Sequence, residues 1–362
     1  MNLNNWFLKS FRILLLPFSI IYGLVIRLRN LLYDKKIFRS AVFNFPLICV
    51  GNLSVGGTGK SPMVEYLIEL LSQEFKVATL SRGYKRKTKG YALAKADTTA
   101  LEIGDEPMQF HLKYPEIPVA VGEERIVAIP QLLHDRPETE VIILDDAFQH
   151  REITAGLNVL LTQYNDLYSR DFFLPTGNLR DERTSAKRAQ IIVVTKCPPD
   201  LSETKKKEII KELNPDKDQQ IFFTAIAYGL PYQITDHTEK PLSKEEEVLL
   251  VCGIANPQPL KEYIASQVHT YYELSYSDHH IFTIDDLRDM EKKFESIMHS
   301  KKRLITTEKD AVRLHKFTEL KDVPMYVLPV KHHFLFGMEN AFHAVIKNFI
   351  LNFKDGSENP VQ

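Results

Sequence analysis

Several clusters of side chains in this chain have the types and spacing to handle a phosphorylated ligand. The most specific is Ser54-Val55-Gly56-Gly57-Thr58-Gly59-Lys60-Ser61. Glycines let successive backbone N–H groups turn toward one anion, a helix beginning at the loop's end adds its dipole, and Lys60 reaches the outer phosphates. Ser61 offers a hydroxyl to the Mg²⁺ that bridges them. The full pattern G-x-x-x-x-G-K-[ST] has Gly where Ser54 stands, and Gly51 lies three residues too early to replace it. A glycine-rich turn that happens to precede a lysine is the plain alternative. The flanking order argues against it: the apolar strand Leu47-Ile48-Cys49-Val50 enters the loop, and Val64, Leu67, Ile68 and Leu71 leave it at helical spacing. Pro62 suits the first turn of that helix, where its missing N–H costs nothing.

Carboxylates supply the next signals. Val141-Ile142-Ile143-Leu144 ends in Asp145-Asp146, where an acidic residue in a P-loop protein supports Mg²⁺ or its water shell. Solvated acids capping a strand are the alternative. Asp105-Glu106 reads as an acidic pair on a loop before an apolar helix: an Asp there could accept a hydroxyl proton and the Glu could ligate Mg²⁺, although Asp is also a routine helix cap. Asp278-His279-His280 invites a metal-phosphoesterase reading, but the further Asp and His clusters which that chemistry needs are missing. A single His tuning a carboxylate is more economical. The basic loop Ser81-Arg82-Gly83-Tyr84-Lys85-Arg86-Lys87-Thr88-Lys89 suits a solvated face or recognition of phosphate or anionic lipid. A GTPase is disfavoured, since Thr195-Lys196-Cys197-Pro198 has Pro where a guanine site wants Asp, and Asp146-Ala147-Phe148-Gln149 lacks the switch glycine.

These groups must be positioned by a fold. Short apolar runs at Val77–Leu80, Ile117–Val121, Val141–Leu144, Leu157–Leu161 and Ile191–Val194 alternate with helical stretches, which predicts an α/β fold with a mostly parallel sheet covered on both faces. A second, smaller α/β set begins at Val248. The expected organisation is an N-terminal segment over 1–36, a P-loop core over 37–228, a crossover linker over 229–247, a second domain over 248–354 and a disordered tail over 355–362. Three widely spaced cysteines, Cys49, Cys197 and Cys252, offer no disulfide framework and fit a reducing compartment.

The net charge of −1 hides an asymmetry. Residues 1–40 carry Lys9, Arg12, Arg27, Arg29, Lys35, Lys36 and Arg39 against Asp34 alone, so the remainder is acidic on balance. That balance, without an interleaved aromatic platform, disfavours nucleic acid as a partner. Ile13 to Ile26 is nearly all apolar, but as a helix it reaches only about 21 Å against roughly 30 Å of hydrocarbon. No cleavage motif follows it. With Pro17 and Gly23 inside it and Arg at both ends, it reads as an interfacial helix on anionic lipid, a buried core helix being the alternative.

Taken in order, the motifs resemble the tetraacyldisaccharide 4′-kinases, which phosphorylate a lipid A precursor at the inner membrane. The resemblance rests on Val50-Gly51-Asn52 before the glycine loop, Leu80-Ser81-Arg82-Gly83-Tyr84, Gly104-Asp105-Glu106-Pro107, and Asp145-Asp146 with Gln149-His150. It continues through Leu174-Pro175, Leu179-Arg180, Asp278-His279 and Thr306-Thr307-Glu308-Lys309-Asp310. It implies that the loop and Lys60 hold ATP, with Ser61 and Glu106 at Mg²⁺ and Asp145 and Asp146 on the metal side. Asp105 would take the proton from the sugar 4′-hydroxyl with His279 as its partner, and Arg125 would neutralise charge on the moving phosphoryl group. Arg82, Gly83, Tyr84 and Arg180 would face the acylated disaccharide, together with Asp146, Gln149, His150 and Asp181. The implied location is the cytoplasmic face of the inner membrane, held by the N-terminal segment.

The chain departs from the family pattern at Ser61 (usually Thr), Ala147-Phe148 (usually Gly-Leu), Asn178 (usually Pro) and Asp181 (usually Glu). None of these removes a proposed catalytic group. A soluble kinase of small metabolites and a P-loop ATPase serving as an assembly module remain as rivals. Membrane flotation separates the first, and transfer of phosphate to a sugar lipid rather than to water separates the second.

Overall fold

The computed structural model describes residues 12–278, 280–317, 324–354 and 356. Helix α1 (Leu16–Asp34) is entered through a 3₁₀ turn at Ile13–Leu15 and leads to strands β1 (Ala41–Val42) and β2 (Leu47–Asn52). After the glycine loop come α2 (Lys60–Leu71), β3 (Val77–Ser81), β4 (Ala92–Leu93), α3 (Ala100–Ile103) and α4 (Asp105–Lys113). Next are β5 (Val119–Val121), α5 (Arg125–Asp135), β6 (Val141–Asp145), β7 (Ile153–Thr154), β8 (Leu157–Gln163), β9 (Ile191–Thr195), α6 (Glu203–Leu213) and β10 (Gln220–Tyr228). The chain continues through β11 (Tyr232–Gln233), β12 (Glu247–Cys252), α7 (Gln258–Gln267), β13 (Thr270–Ser275), α8 (Ile284–Glu295), β14 (Lys302–Thr307) and α9 (Glu308–Leu314). Strands β15 (Met325–Leu328) and β16 (Val330–Phe334) and helix α10 (Glu339–Lys354) close it.

A nine-stranded sheet runs in the order β16-β10-β9-β8-β2-β6-β3-β5-β4, parallel except for its two edge strands. Residues of β2 alternate between its faces. Ile48 and Val50 enter a core with Met63, Val64, Leu67 and Ile68 of α2, while Leu47 and Cys49 enter another with Ile129 and Leu132 of α5. Every residue of β2 is buried, the pattern of a strand covered on both sides. A five-stranded sheet in the order β11-β15-β14-β12-β13 forms a second lobe with its own two cores.

The expected domain limits do not follow these sheets. Within the expected linker, β11 pairs with β15 of the second sheet. At the other end β16 pairs antiparallel with β10 of the first sheet, and α10 packs there too. Aromatic burial explains the return: Phe334 and Phe342 lie 4.7 Å apart, and Phe342 lies 5.2 Å from Phe222 of β10. The second lobe is therefore an insertion between β10 and β16. The expected disordered tail falls outside the described residues, apart from Gly356.

Helix α1 runs further than the apolar stretch alone indicates. Phe18, Ile20, Ile21, Leu24, Val25, Leu28 and Leu31 are exposed, whereas Ser19, Gly23 and Asn30 are buried against the protein. At 22 residues, Ile13–Asp34 has the length and composition to cross a membrane. Its buried stripe shows how it is held. Ser19 Oγ donates to the Phe173 carbonyl and accepts from the Thr176 hydroxyl, Tyr22 donates to the Arg180 carbonyl, and Arg29 to the Gln149 carbonyl.

Candidate active site

The glycine loop joins the end of β2 to the start of α2 in the central sheet. Gly56 and Gly59 take the left-handed φ values +113° and +89°, which only glycine adopts without strain. Ser54, at the position where the pattern wants glycine, has no positive φ; it forms a β-bridge with Leu179 instead. Glycine is not needed there. Gly51 serves another purpose, since a Cβ at that position would lie 2.5 Å from Cβ of Phe148. Val55 is exposed, and Gly57 faces open space. Thr58 is buried, and its carbonyl accepts a hydrogen bond from Thr195 Oγ1 at 2.8 Å.

Lys60 and Ser61 open α2 and face acidic groups from the end of β6 and the first turn of α4. Lys60 Nζ lies 3.7 Å from Asp146 Oδ1, and Ser61 Oγ donates to Glu106 Oε1 at 3.1 Å. Asp146 has a left-handed φ of +50° and is gripped by Arg180 through both carboxylate oxygens. Asp145 is buried, accepts from Ser81 Oγ at 3.3 Å, and keeps Oδ1 without a partner. Burial first, then the charges of Glu106 and Asp146, push its carboxyl up to about 7. Burial acts upward on Asp146 as well, but the Arg180 hydrogen bonds and the Lys60 charge hold it below the usual range.

Ser61, Glu106, Asp145 and Asp146 offer oxygen donors only, with one buried carboxylate oxygen unsatisfied. That set suits a hard divalent cation such as Mg²⁺. Among the described residues no three His, Cys, Asp or Glu side chains form a cage by themselves. Mg²⁺ does not require one, since substrate phosphates and water complete its shell.

Asp105 is the first residue of α4, next to Glu106. Its Oδ2 accepts from Arg313 Nε at 3.0 Å and Nη2 at 2.6 Å, an ion pair that reaches across from α9 of the second lobe. His279, its expected partner, lies outside the described residues. His280 is bonded to Asp286 at 3.0 Å and supports the start of α8, away from any metal-like cluster among the described residues. Arg125 is wholly buried behind Asp145, its guanidinium on the carbonyls of Gly122 and Asp145. Desolvation lowers its pKa to about 10.

The expected substrate residues divide by exposure. Arg82 and Tyr84 are exposed on the loop after β3, which turns at Gly83 with φ +75°. Gln149 donates to the Asn52 carbonyl at 2.6 Å. His150 pairs with Glu152 at 2.9 Å. Asp181 is turned inward: it is 1% exposed, pairs with Arg188 at 2.9 Å and accepts from Asn30 at 2.9 Å. The structure corrects that expectation, for Asp181 ties α1 to the loop carrying Arg180 and presents no free carboxylate.

Sequence reasoning gave no role to Asn52, which gathers the site. Its Oδ1 accepts from Arg180 at 2.6 Å and Lys60 at 3.4 Å, and its Nδ2 donates to the Ser54 carbonyl at 2.6 Å. Its place at the end of β2, in the Gly51-Asn52 pair, was the available signal. Arg313 and His332 carried none.

The family model described as "Tetraacyldisaccharide-1-P 4′-kinase" matches residues 11–351. Among similar proteins, the tetraacyldisaccharide 4′-kinase of Flavobacterium johnsoniae is 48% identical over 337 residues, covering 93% of this chain and 96% of its own length. That of Bacteroides fragilis strain YCH46 is 42% identical, covering 95% of this chain and 94% of its own length. Among solved structures, that of LpxK from Aquifex aeolicus in complex with ATP superposes with a TM-score of 0.73 at 28% identity, covering 94% of this chain and 99% of that one. A glycine loop faced by acidic strand ends, under a match this long, makes the chain a member of the tetraacyldisaccharide 4′-kinase family.

Proposed function

We propose that this kinase transfers the γ-phosphoryl group of ATP to the 4′-hydroxyl of a tetraacyl glucosamine disaccharide 1-phosphate, giving the 4′-phosphorylated lipid A precursor. The observation that carries the proposal is the convergence of Lys60, Ser61, Glu106, Asp145 and Asp146 at one glycine loop, with Asp105 next to Glu106 in the first turn of α4. Phosphoryl transfer asks a protein chiefly for alignment and charge neutralisation. The loop N–H groups and Lys60 bind the triphosphate, while Arg180 and Asn52 fix the acidic wall opposite Lys60. Ser61, Glu106 and Asp145 would hold Mg²⁺, which would neutralise charge on the phosphates. Asp105 accepts the hydroxyl proton, with Arg313 orienting its carboxylate. Arg82 and Tyr84 receive the sugar headgroup. The exposed apolar face of α1 and the basic residues at its ends carry the enzyme on anionic lipid at the cytoplasmic face of the inner membrane.

The test is mass spectrometry of the acylated disaccharide incubated with the protein and MgATP. A gain of one phosphate is expected. Phosphate released only to water would leave the ATPase reading instead. Asp105→Ala should lower kcat by about 10²–10⁴-fold, the scale of a positioned base, with little change in ATP affinity; an unaltered kcat removes Asp105 from the mechanism.

A further inference from the structure

His332 lies on β16, paired in register with Ile226, and it is separated by 273 residues from the loop it touches. Its Nε2 is 3.0 Å from the Gly59 carbonyl and its Nδ1 is 2.9 Å from Thr224 Oγ1. A carbonyl can only accept, so Nε2 carries the hydrogen and donates it, and Nδ1 accepts a hydrogen bond from the Thr224 hydroxyl. The ring also covers Gly59 from outside. A Cβ on Gly59 would stand 3.1 Å from Cε1 and 3.3 Å from Nε2 of His332.

The Gly59 carbonyl belongs to the same planar unit as the N–H of Lys60, and the two point in opposite directions. That carbonyl already accepts the first helical bond from Met63 N at 3.1 Å, and His332 takes its other lone pair. With both lone pairs engaged the peptide cannot rotate, and the Lys60 N–H stays aimed into the loop, where helix N-termini bind phosphate. We propose that His332 is a positioning residue for the nucleotide: from strand β16 it locks the Gly59–Lys60 peptide in its phosphate-binding orientation.

The proposal rests on the loop being the ATP site, and binding measured without acceptor lipid keeps the two ideas apart. Full-length protein carrying His332→Phe, His332→Ala or His332→Gln is titrated with ATP, and melting temperatures are recorded alongside. Wild-type protein that fails to bind ATP would sink the site assignment itself. The Phe and Ala variants are expected to bind ATP about tenfold more weakly, the scale of one lost hydrogen bond to backbone. His332→Gln, whose amide can donate to the same carbonyl, should recover most of that loss. The KM for the lipid acceptor should not move. ATP affinity equal to wild type in the Ala variant overturns the proposal, as does a Gln variant no tighter than Ala at equal melting temperature. If the Phe variant does not fold, the Gln–Ala comparison decides.

Discussion

Asp145 and Asp146 are adjacent, yet their surroundings drive them in opposite directions. Asp145 is enclosed and shares its neighbourhood with Glu106, so its charged form is disfavoured; Asp146 turns out through a left-handed backbone onto Arg180 and stays ionised. At His332 burial again disfavours the charged form, which for a base moves the pKa the other way. Loss of hydration, with the Lys196 charge adding to it, lowers its pKa from 6.5 to about 4, against the pull of the Gly59 hydrogen bond. The unfolded chain therefore takes up a proton before the folded one does. Stability contributed by neutral His332 is complete above pH 6.5 and is lost as pH falls toward 4. Urea midpoints of wild type should consequently drop more steeply between these values than those of His332→Gln, and parallel slopes would contradict this.

At the scale of elements, α1 is joined to the site by its polar stripe. Asn30 is buried at the C-terminal end of that stripe, donating to Asp181 at 2.9 Å and to Glu182 at 2.7 Å. Asn30→Leu should cost about 1–3 kcal/mol in chemical denaturation, because it strips a donor from a buried carboxylate. It should also lower kcat by loosening the segment that holds Arg180. Stability and turnover both unchanged would mean that α1 is merely an attached anchor. The apolar face of α1 was legible in sequence, but its polar stripe was not, since those residues gain meaning only against distant partners at Gln149 and in residues 173–182. Fully buried strands such as β6 and β9 were equally legible as unbroken apolar runs. Strand β16 was missed because Val330-Lys331-His332-His333-Phe334 alternates polar residues along an edge. The loop, Lys60 and Ser61 were readable as a local motif. The Asp105–Arg313 pair spans 208 residues, and no local pattern announces such a partner.

In the whole molecule, charge joins the two lobes. Lys113 Nζ of α4 lies 2.6 Å from Glu65 of α2 and 2.6 Å from Glu308 of α9, and both carboxylates are almost fully buried. Burial, with the charge of Glu308 second, raises the Glu65 carboxyl to about 7 even beside the lysine. Lys113→Met would leave two enclosed carboxylates facing each other. It should destabilise the protein by about 3–5 kcal/mol in urea unfolding, and a change under 1 kcal/mol would show the trio to be solvated. The insertion of the second lobe between β10 and β16 has a further consequence, for the nascent chain. The nucleotide lobe begins first on the ribosome but is finished last. Until residues 330–354 emerge, β10 is an unpaired edge beside an uncovered Phe222, and Gly59 lacks the imidazole that holds it. The growing chain thus carries an open sheet edge, with its hazard of wrong pairing, through synthesis of the entire second lobe.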